Sequence, residues 1–171
     1  LYFQVNAAGT QNVLQIAREQ GVQRVMFAAS SSAYGDSETL PKVESMPVQP
    51  KSPYAASKVA CEALIRAYAS CYDLDAVALR YFNIFGPRQN ANSAYAAVIA
   101  AFAKALSEGE RPVIFGDGEQ SRDFTFVDNA VHANLLAARA QRTLRGSVLN
   151  VACGKRITVN ELAREMALLY D

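Results

Sequence analysis

Tyr54 and Lys58, in the stretch SPYAASK, stand four residues apart in a run that otherwise reads as helix. That spacing puts both side chains on one helical face. Two readings are open from the pair alone. It is an exposed aromatic beside a solvated lysine, or an acid/base pair whose ammonium favours the phenolate. A second polar cluster, SSSAYG at Ser30–Gly35, directly follows the apolar run RVMFAAS. A serine hydroxyl delivered by such a strand end could bond both a phenol and a substrate oxygen. Ser30, Tyr54 and Lys58 would then form a general acid/base. A third set of polar groups, Asn83, Arg88, Asp117, Arg122 and Asp123, lies in the second half of the chain. Loops and helix starts are where a rigid scaffold usually presents function.

The elements that must position these residues alternate. Residues 5–20 carry Val13, Leu14, Ile16 and Ala17 on a helical face, and Gly21 stops the run. Arg24–Ser30 reads as a buried strand, and residues 31–52, rich in Ser and Pro, as loop. A helix is predicted over 53–72, with Ser52 as its cap and Pro53 in its first turn. Asp75–Arg80 is a second strand, and YFNIFGPRQNANS a loop. An amphipathic helix is predicted over Ala94–Gly109, then a strand and turn in PVIFGDGE. FVDNAVHANLLAARA is a helix, GSVLNVA a strand, and TVNELAREMALLY a helix opened by a Thr158–Glu161 capping box. Helices alternating with apolar strands argue for an α/β fold with a largely parallel sheet.

The 171 residues are 51% hydrophobic and 19% charged, with 17 basic and 16 acidic side chains. There is no long run of either sign, so nucleic-acid and membrane-surface binding find no electrostatic footprint. No apolar run reaches the length of a membrane span. The opening LYFQ reads as the remnant of a tag-removal site, so residues 1–4 are set apart from the fold. Cys61, Cys71 and Cys153 have no metal-like spacing, which points to reduced thiols and a cytoplasmic location. One histidine, His132, offers no metal site, and the GDG turn accounts for Asp117.

In order and spacing, SSSAYG, SPYAASK, LRYFNIFGPRQ and FGDGEQSRDFTFVDN resemble the extended short-chain dehydrogenase/reductase superfamily. Within it the chain looks like the NAD-dependent nucleotide-sugar epimerases. Through LPKVE, GPRQNANSAYAAVIAAF and GDGEQSRDF it is most similar to UDP-N-acetylglucosamine 4-epimerases. The resemblance implies an incomplete Rossmann-like parallel sheet over 5–80. It also implies a small α/β nucleotide-sugar lobe, mainly 81–171, with helix 127–139 returning to the first part. It implies Tyr54 as the acid/base at the sugar 4-hydroxyl, Lys58 on the nicotinamide ribose and Ser30 as the catalytic serine. Ser31 and Ser32 would line the sugar, and Phe82 would lie against the nicotinamide. Asn83 and Arg122 would hold the diphosphate, Ala97 and Phe102 would pack near the uridine, and Arg156 would reach the nucleotide. The expected reaction is 4-epimerisation of a UDP-sugar through transient oxidation at C4. Serines at 31 and 32, where related dehydratases and decarboxylases carry acids, weigh against those reactions. UDP-glucose and UDP-uronate epimerases remain alternatives, as does a non-catalytic module that dimerises or binds nucleotide sugar. Helices 5–20 and 53–72 match the pair through which relatives form a homodimer.

The departure from the pattern is a missing glycine-rich turn, which a dinucleotide fold places after its first strand. The sequence enters the resemblance in mid-fold. It reads as part of a longer enzyme or a fragment, and the expectation is that these 171 residues alone lack epimerase activity.

Overall fold

The computed structural model describes residues 1–92 and 97–170. In chain order the elements are α1 (Gly9–Glu19), β1 (Val25–Ser30), α2 (Pro53–Tyr72), β2 (Ala76–Tyr81), β3 (Ile84–Phe85), α3 (Val98–Ser107), β4 (Ser121–Arg122), β5 (Thr125–Phe126), α4 (Val127–Arg139), β6 (Ser147–Val151), β7 (Ile157–Thr158) and α5 (Val159–Ala167). They form two compact units. One contains Leu1–Phe82 and Asn129–Val151, the other Asn83–Asp128 and Ala152–Asp171.

The first unit is built on three parallel strands in the order β1-β2-β6. β2 is central and covered on both faces, which its apolar run Ala76–Leu79 requires. Strand alternation divides its side chains. Ala76 packs with Leu14 of α1 and with Ile65 and Tyr68 of α2. Val77 and Leu79 pack on the other face with Ala137 of α4 and with Leu144. α2 begins as its sequence predicts: Ser52 Oγ accepts the Ala55 amide at 3.1 Å and Pro53 occupies the first turn. It ends at Asp73, in the left-handed conformation (φ 54°). Arg24 and Asp75, just before β1 and β2, form an ion pair at 2.6 Å. Arg24 also donates to the carbonyls of Ala137 and Ala140 at the end of α4, at 2.5 and 2.9 Å.

In the second unit α3 and α5 share a core of Phe102, Val159 and Leu162. Two short ribbons accompany it, β3 parallel to β5 and β4 antiparallel to β7. The expected capping box opens α5: Thr158 Oγ1 accepts the Glu161 amide at 3.0 Å, and Glu161 accepts the Thr158 amide at 2.7 Å.

A π-helical turn over Phe3–Ala8 leads into α1, and the Tyr2 ring meets Tyr54 edge-on at 5.8 Å. Several sequence expectations are corrected. β1, expected to be buried, buries only Ala29 and leaves Met26 exposed, because among the described strands it stands at one end of the β1-β2-β6 order. The strand expected in PVIFGDGE does not form. Among the described residues nothing pairs with 112–115; Ile114 packs on the α3/α5 core, while Val113 and Phe115 are exposed. Alternating apolar residues cannot make a strand without a hydrogen-bonding neighbour. The helix expected over 94–109 is seen from Val98 to Ser107, and its first predicted positions, 94–96, lie outside the described residues. The loop expected after β2 contains β3, which is too short to leave a periodic signature.

Candidate functional site

Ser30 is the last residue of β1 and has extended backbone angles (φ −146°, ψ 141°). Its Oγ accepts from the Ser32 amide at 3.2 Å and from Ser32 Oγ at 2.8 Å. A hydroxyl that accepts twice still has its own proton to donate. The 3-10 turn Ser31–Tyr34 follows and ends at Gly35 (φ 58°). A side chain at Gly35 would collide with the Gln49 carbonyl, so the turn requires glycine. These serines stand at the carboxyl end of a parallel strand, where open α/β sheets place ligands.

α2 packs on β1 and on this turn, and it carries Tyr54, Lys58 and Glu62 along one stripe. The Tyr54 side chain is 38% exposed, enough to meet a substrate. Lys58 Nζ donates to the Ala28 carbonyl at 2.8 Å and lies 4.8 Å from the Phe27 ring centre and 5.9 Å from that of Tyr54. Burial lowers the Lys58 pKa from the ordinary lysine range, with Cys61 acting weakly the other way. An ammonium has three donors, and the Ala28 carbonyl takes one. Phe82 follows β2, its ring 6.1 Å from that of Tyr34.

Beneath this site lies a polar network that the spacing arguments missed. Arg80, 1% exposed, donates from Nε and Nη2 to the two carboxylate oxygens of Glu62 at 2.8 and 2.7 Å. Burial disfavours the guanidinium's charge, but its bonds to Glu62 outweigh that and raise its pKa further. The guanidinium carbon is 4.6 Å from the centre of the buried Tyr34 ring. Tyr34 donates its hydroxyl to Asn150 Oδ1 at 2.7 Å. Two signals for this network exist in the sequence: Glu62 continues the Tyr54–Lys58 stripe, and Arg80 ends an otherwise apolar strand run.

The remaining candidates belong to the second unit. Asn83 (φ 34°) donates from Nδ2 to the Asp123 carbonyl at 2.8 Å. Asp123 accepts the Cys153 and Gly154 amides at 3.0 and 2.7 Å. Arg122 is exposed on β4, opposite Ile157 of β7. Arg156, also exposed, precedes Ile157 and donates to the Ser121 carbonyl at 3.3 Å. Arg122 is thus in the β4–β7 ribbon and Arg156 just outside it, one residue before the partner of Arg122. Ala97 caps α3, whereas Phe102 is buried in the α3/α5 core at 2% exposure. Asp117 accepts the Glu119 amide at 3.0 Å, a turn contact. A cavity of about 630 Å³ lies within this unit between the loop after β3 and one side of α3, with Arg88, Gln89, Ile99 and Lys104 in its wall. None of the residues expected to hold a nucleotide lines it. Among the described residues no group of His, Cys, Asp and Glu could hold a metal ion. No helix among them is long and apolar enough to cross a membrane.

Comparison with known proteins gives this geometry a context. The family described as "NAD dependent epimerase/dehydratase family" matches residues 1–152. A UDP-glucose 4-epimerase of Mycolicibacterium smegmatis is 40% identical over 164 residues, covering 95% of this chain and 51% of that protein. The solved UDP-N-acetylglucosamine 4-epimerase of Methanobrevibacter ruminantium, in complex with UDP-N-acetylmuramic acid, superposes with a TM-score of 0.93 at 43% identity. That match covers 97% of this chain and 53% of the other. The Thermus thermophilus UDP-glucose 4-epimerase in complex with NAD superposes with a TM-score of 0.87 at 35% identity, covering 98% and 55%. The chain thus spans about half the length of the relatives it matches.

Proposed function

Because the chain belongs to the NAD dependent epimerase/dehydratase family, we propose that it forms part of an enzyme that inverts C4 of a UDP-sugar. The observation that carries this reading is the hydroxyl–phenol–ammonium set of Ser30, Tyr54 and Lys58, with Ser30 at a strand's carboxyl end and Lys58 bonded to the adjoining β1 backbone. The donor chemistry of the set fits the nicotinamide-ribose end of NAD: Lys58 has donors left for ribose hydroxyls, and Phe82 offers a ring face. NAD, when bound, supplies the acceptor and the donor of the C4 hydride. The protein's own residues handle the proton and the substrate. Tyr54 takes the proton of the sugar 4-hydroxyl and returns it to that same oxygen after the sugar has turned. Ser30 donates its O–H to the same sugar oxygen, since its lone pairs are occupied by Ser32. Ser31 and Ser32 line the sugar with small hydroxyls that let it turn.

The nucleotide must stay fixed while the sugar turns. Arg122 offers a planar fork to the diphosphate. Asn83 adds an amide whose second N–H is not used by Asp123. Arg156 adds a second guanidinium next to that ribbon, Ala97 a small wall at the head of α3, and Phe102 supports that wall from the core. Among UDP-sugars we favour UDP-N-acetylglucosamine. What supports it is the 43% identity to the M. ruminantium protein; the M. smegmatis relative favours UDP-glucose as the second reading. A cytoplasmic homodimer through α1 and α2 completes the proposal, supported by exposed Val13 and Ile16 on α1 and Tyr72 on α2.

The test uses protein expressed from the full coding sequence. Incubated with NAD and UDP-N-acetylglucosamine, it is expected to yield the galacto-isomer by NMR. Conversion of UDP-glucose alone would transfer the assignment to the second reading, and conversion of no UDP-sugar would overturn the proposal.

A further inference from the structure

We propose that Glu62 and Arg80 are positioning residues, which hold the Ser30–Ser32 turn and the Tyr54–Lys58 helix in one frame. The inference rests on the catalytic reading above and extends it to two residues that touch no substrate.

Register and alternation place the parts. Ala29 of β1, Arg80 of β2 and Asn150 of β6 form one rung of the sheet. Arg80 follows Ala76 and Ala78 along the face covered by α1 and α2. From there Arg80 reaches two elements together. Its edge makes two charge-assisted bonds to Glu62, two turns beyond Tyr54 on α2. Its guanidinium carbon lies 4.6 Å from the ring centre of Tyr34, the last residue of the serine turn. The third guanidinium nitrogen, Nη1, is buried with no hydrogen-bond partner among the described residues, and the Tyr34 ring gives the cation as a whole a π contact. Tyr34 is fixed from its other end by Asn150, whose Nδ2 donates to the Lys42 carbonyl at 3.0 Å and whose amide donates to Glu44 at 2.7 Å.

Stability alone is a poor reason for this arrangement. A buried ion pair can often be replaced by apolar side chains of similar volume without loss of stability. Apolar replacements cannot reproduce two bonds of fixed direction to one element and a cation–π contact to another. The serine hydroxyl and the tyrosine phenol must converge on one sugar oxygen, and a displacement of about 1 Å costs roughly a hundredfold in rate.

The experiment compares the parent protein, expressed from the full coding sequence, with the double variant Glu62→Leu/Arg80→Met. The variant is expected to fold with an unfolding midpoint near the parent's. Its kcat should fall by about tenfold to a hundredfold while KM stays within about twofold. Without substrate, the Ser32 and Gly35 amides should exchange their hydrogens about tenfold faster than in the parent, with the middle of α2 unchanged. A folded variant with parental kcat and parental exchange at Ser32 and Gly35 overturns the proposal. If the double variant does not fold, Glu62→Gln, which keeps the shape and sets an amide against one of the two Arg80 donors, should raise the same exchange; parental exchange there overturns the proposal equally. A parent that epimerises no UDP-sugar would refute the catalytic reading. The amide exchange would still decide whether the pair holds the turn.

Discussion

Replacing Asp75 with asparagine tests the physical account of the sheet at a position remote from the chemistry. Asp75 Oδ2 accepts Arg24 Nε at 2.6 Å, and Oδ1 accepts the Leu144 and Arg145 amides at 2.7 and 3.1 Å. One carboxylate therefore ties the entry of β1 to the start of β2 and to the turn before β6. The two side chains are only 12–13% exposed. Burial opposes ionisation of Asp75. The Arg24 bond and the two amides outweigh it and hold the carboxyl below its usual range. Asparagine keeps the shape but loses the charge, and its amide nitrogen meets Arg24 donor to donor. A hydrogen bond to a charged group is worth about 1.5–3 kcal/mol. Arg24 keeps its carbonyl partners at the end of α4, so no bare buried cation remains. The expected loss is therefore about 2–3 kcal/mol, below the cost of breaking a fully buried pair.

The pH dependence follows from the direction of the shift. A carboxyl with a depressed folded pKa contributes its stabilisation above the unfolded value of about 3.9, and loses it as pH falls through the folded value. The difference between parent and Asp75→Asn should be full near about pH 6 and smaller near about pH 3. Urea unfolding of both proteins at both pH values, at constant ionic strength, measures it. A difference under about 0.5 kcal/mol at the higher pH, or one unchanged between the two, would refute the reasoning.

Three further outcomes are expected. Tyr54→Phe should leave the fold intact and lower kcat by about 10²- to 10⁴-fold in steady-state assays of the enzyme. Arg122→Lys keeps the charge and loses the fork, so KM for the UDP-sugar should rise about tenfold with kcat within about twofold. Gly146→Ala should destabilise the first unit by about 1–3 kcal/mol in denaturant unfolding. Gly146 has φ 73°, and an added Cβ would stand 2.8 Å from Arg66 Cα.

The sequence by itself determined the elements whose signals are local. The α2 cap at Ser52, the α5 capping box and the apolar runs of β1, β2 and β6 all depend on neighbours in the chain. So does the Tyr54–Lys58 stripe, because helical periodicity sets it. What a strand pairs with is not local. PVIF has a strand's pattern and no partner, whereas β3, β4, β5 and β7 are two-residue ribbons that exist only through their pairing. The helical path of Phe3–Ala8 and the contact of Tyr2 with Tyr54 likewise carry no local signature in LYFQ. Only the tertiary structure decided the environment of Arg80. A lone arginine at a strand end reads as solvated, and it becomes a buried fork because α2 brings Glu62 over it and the serine turn brings the Tyr34 ring to it. Those contacts join residues 18 and 46 positions from Arg80, a separation no window of periodicity spans. They form because a cation taken out of water must find its compensation wherever the fold supplies it.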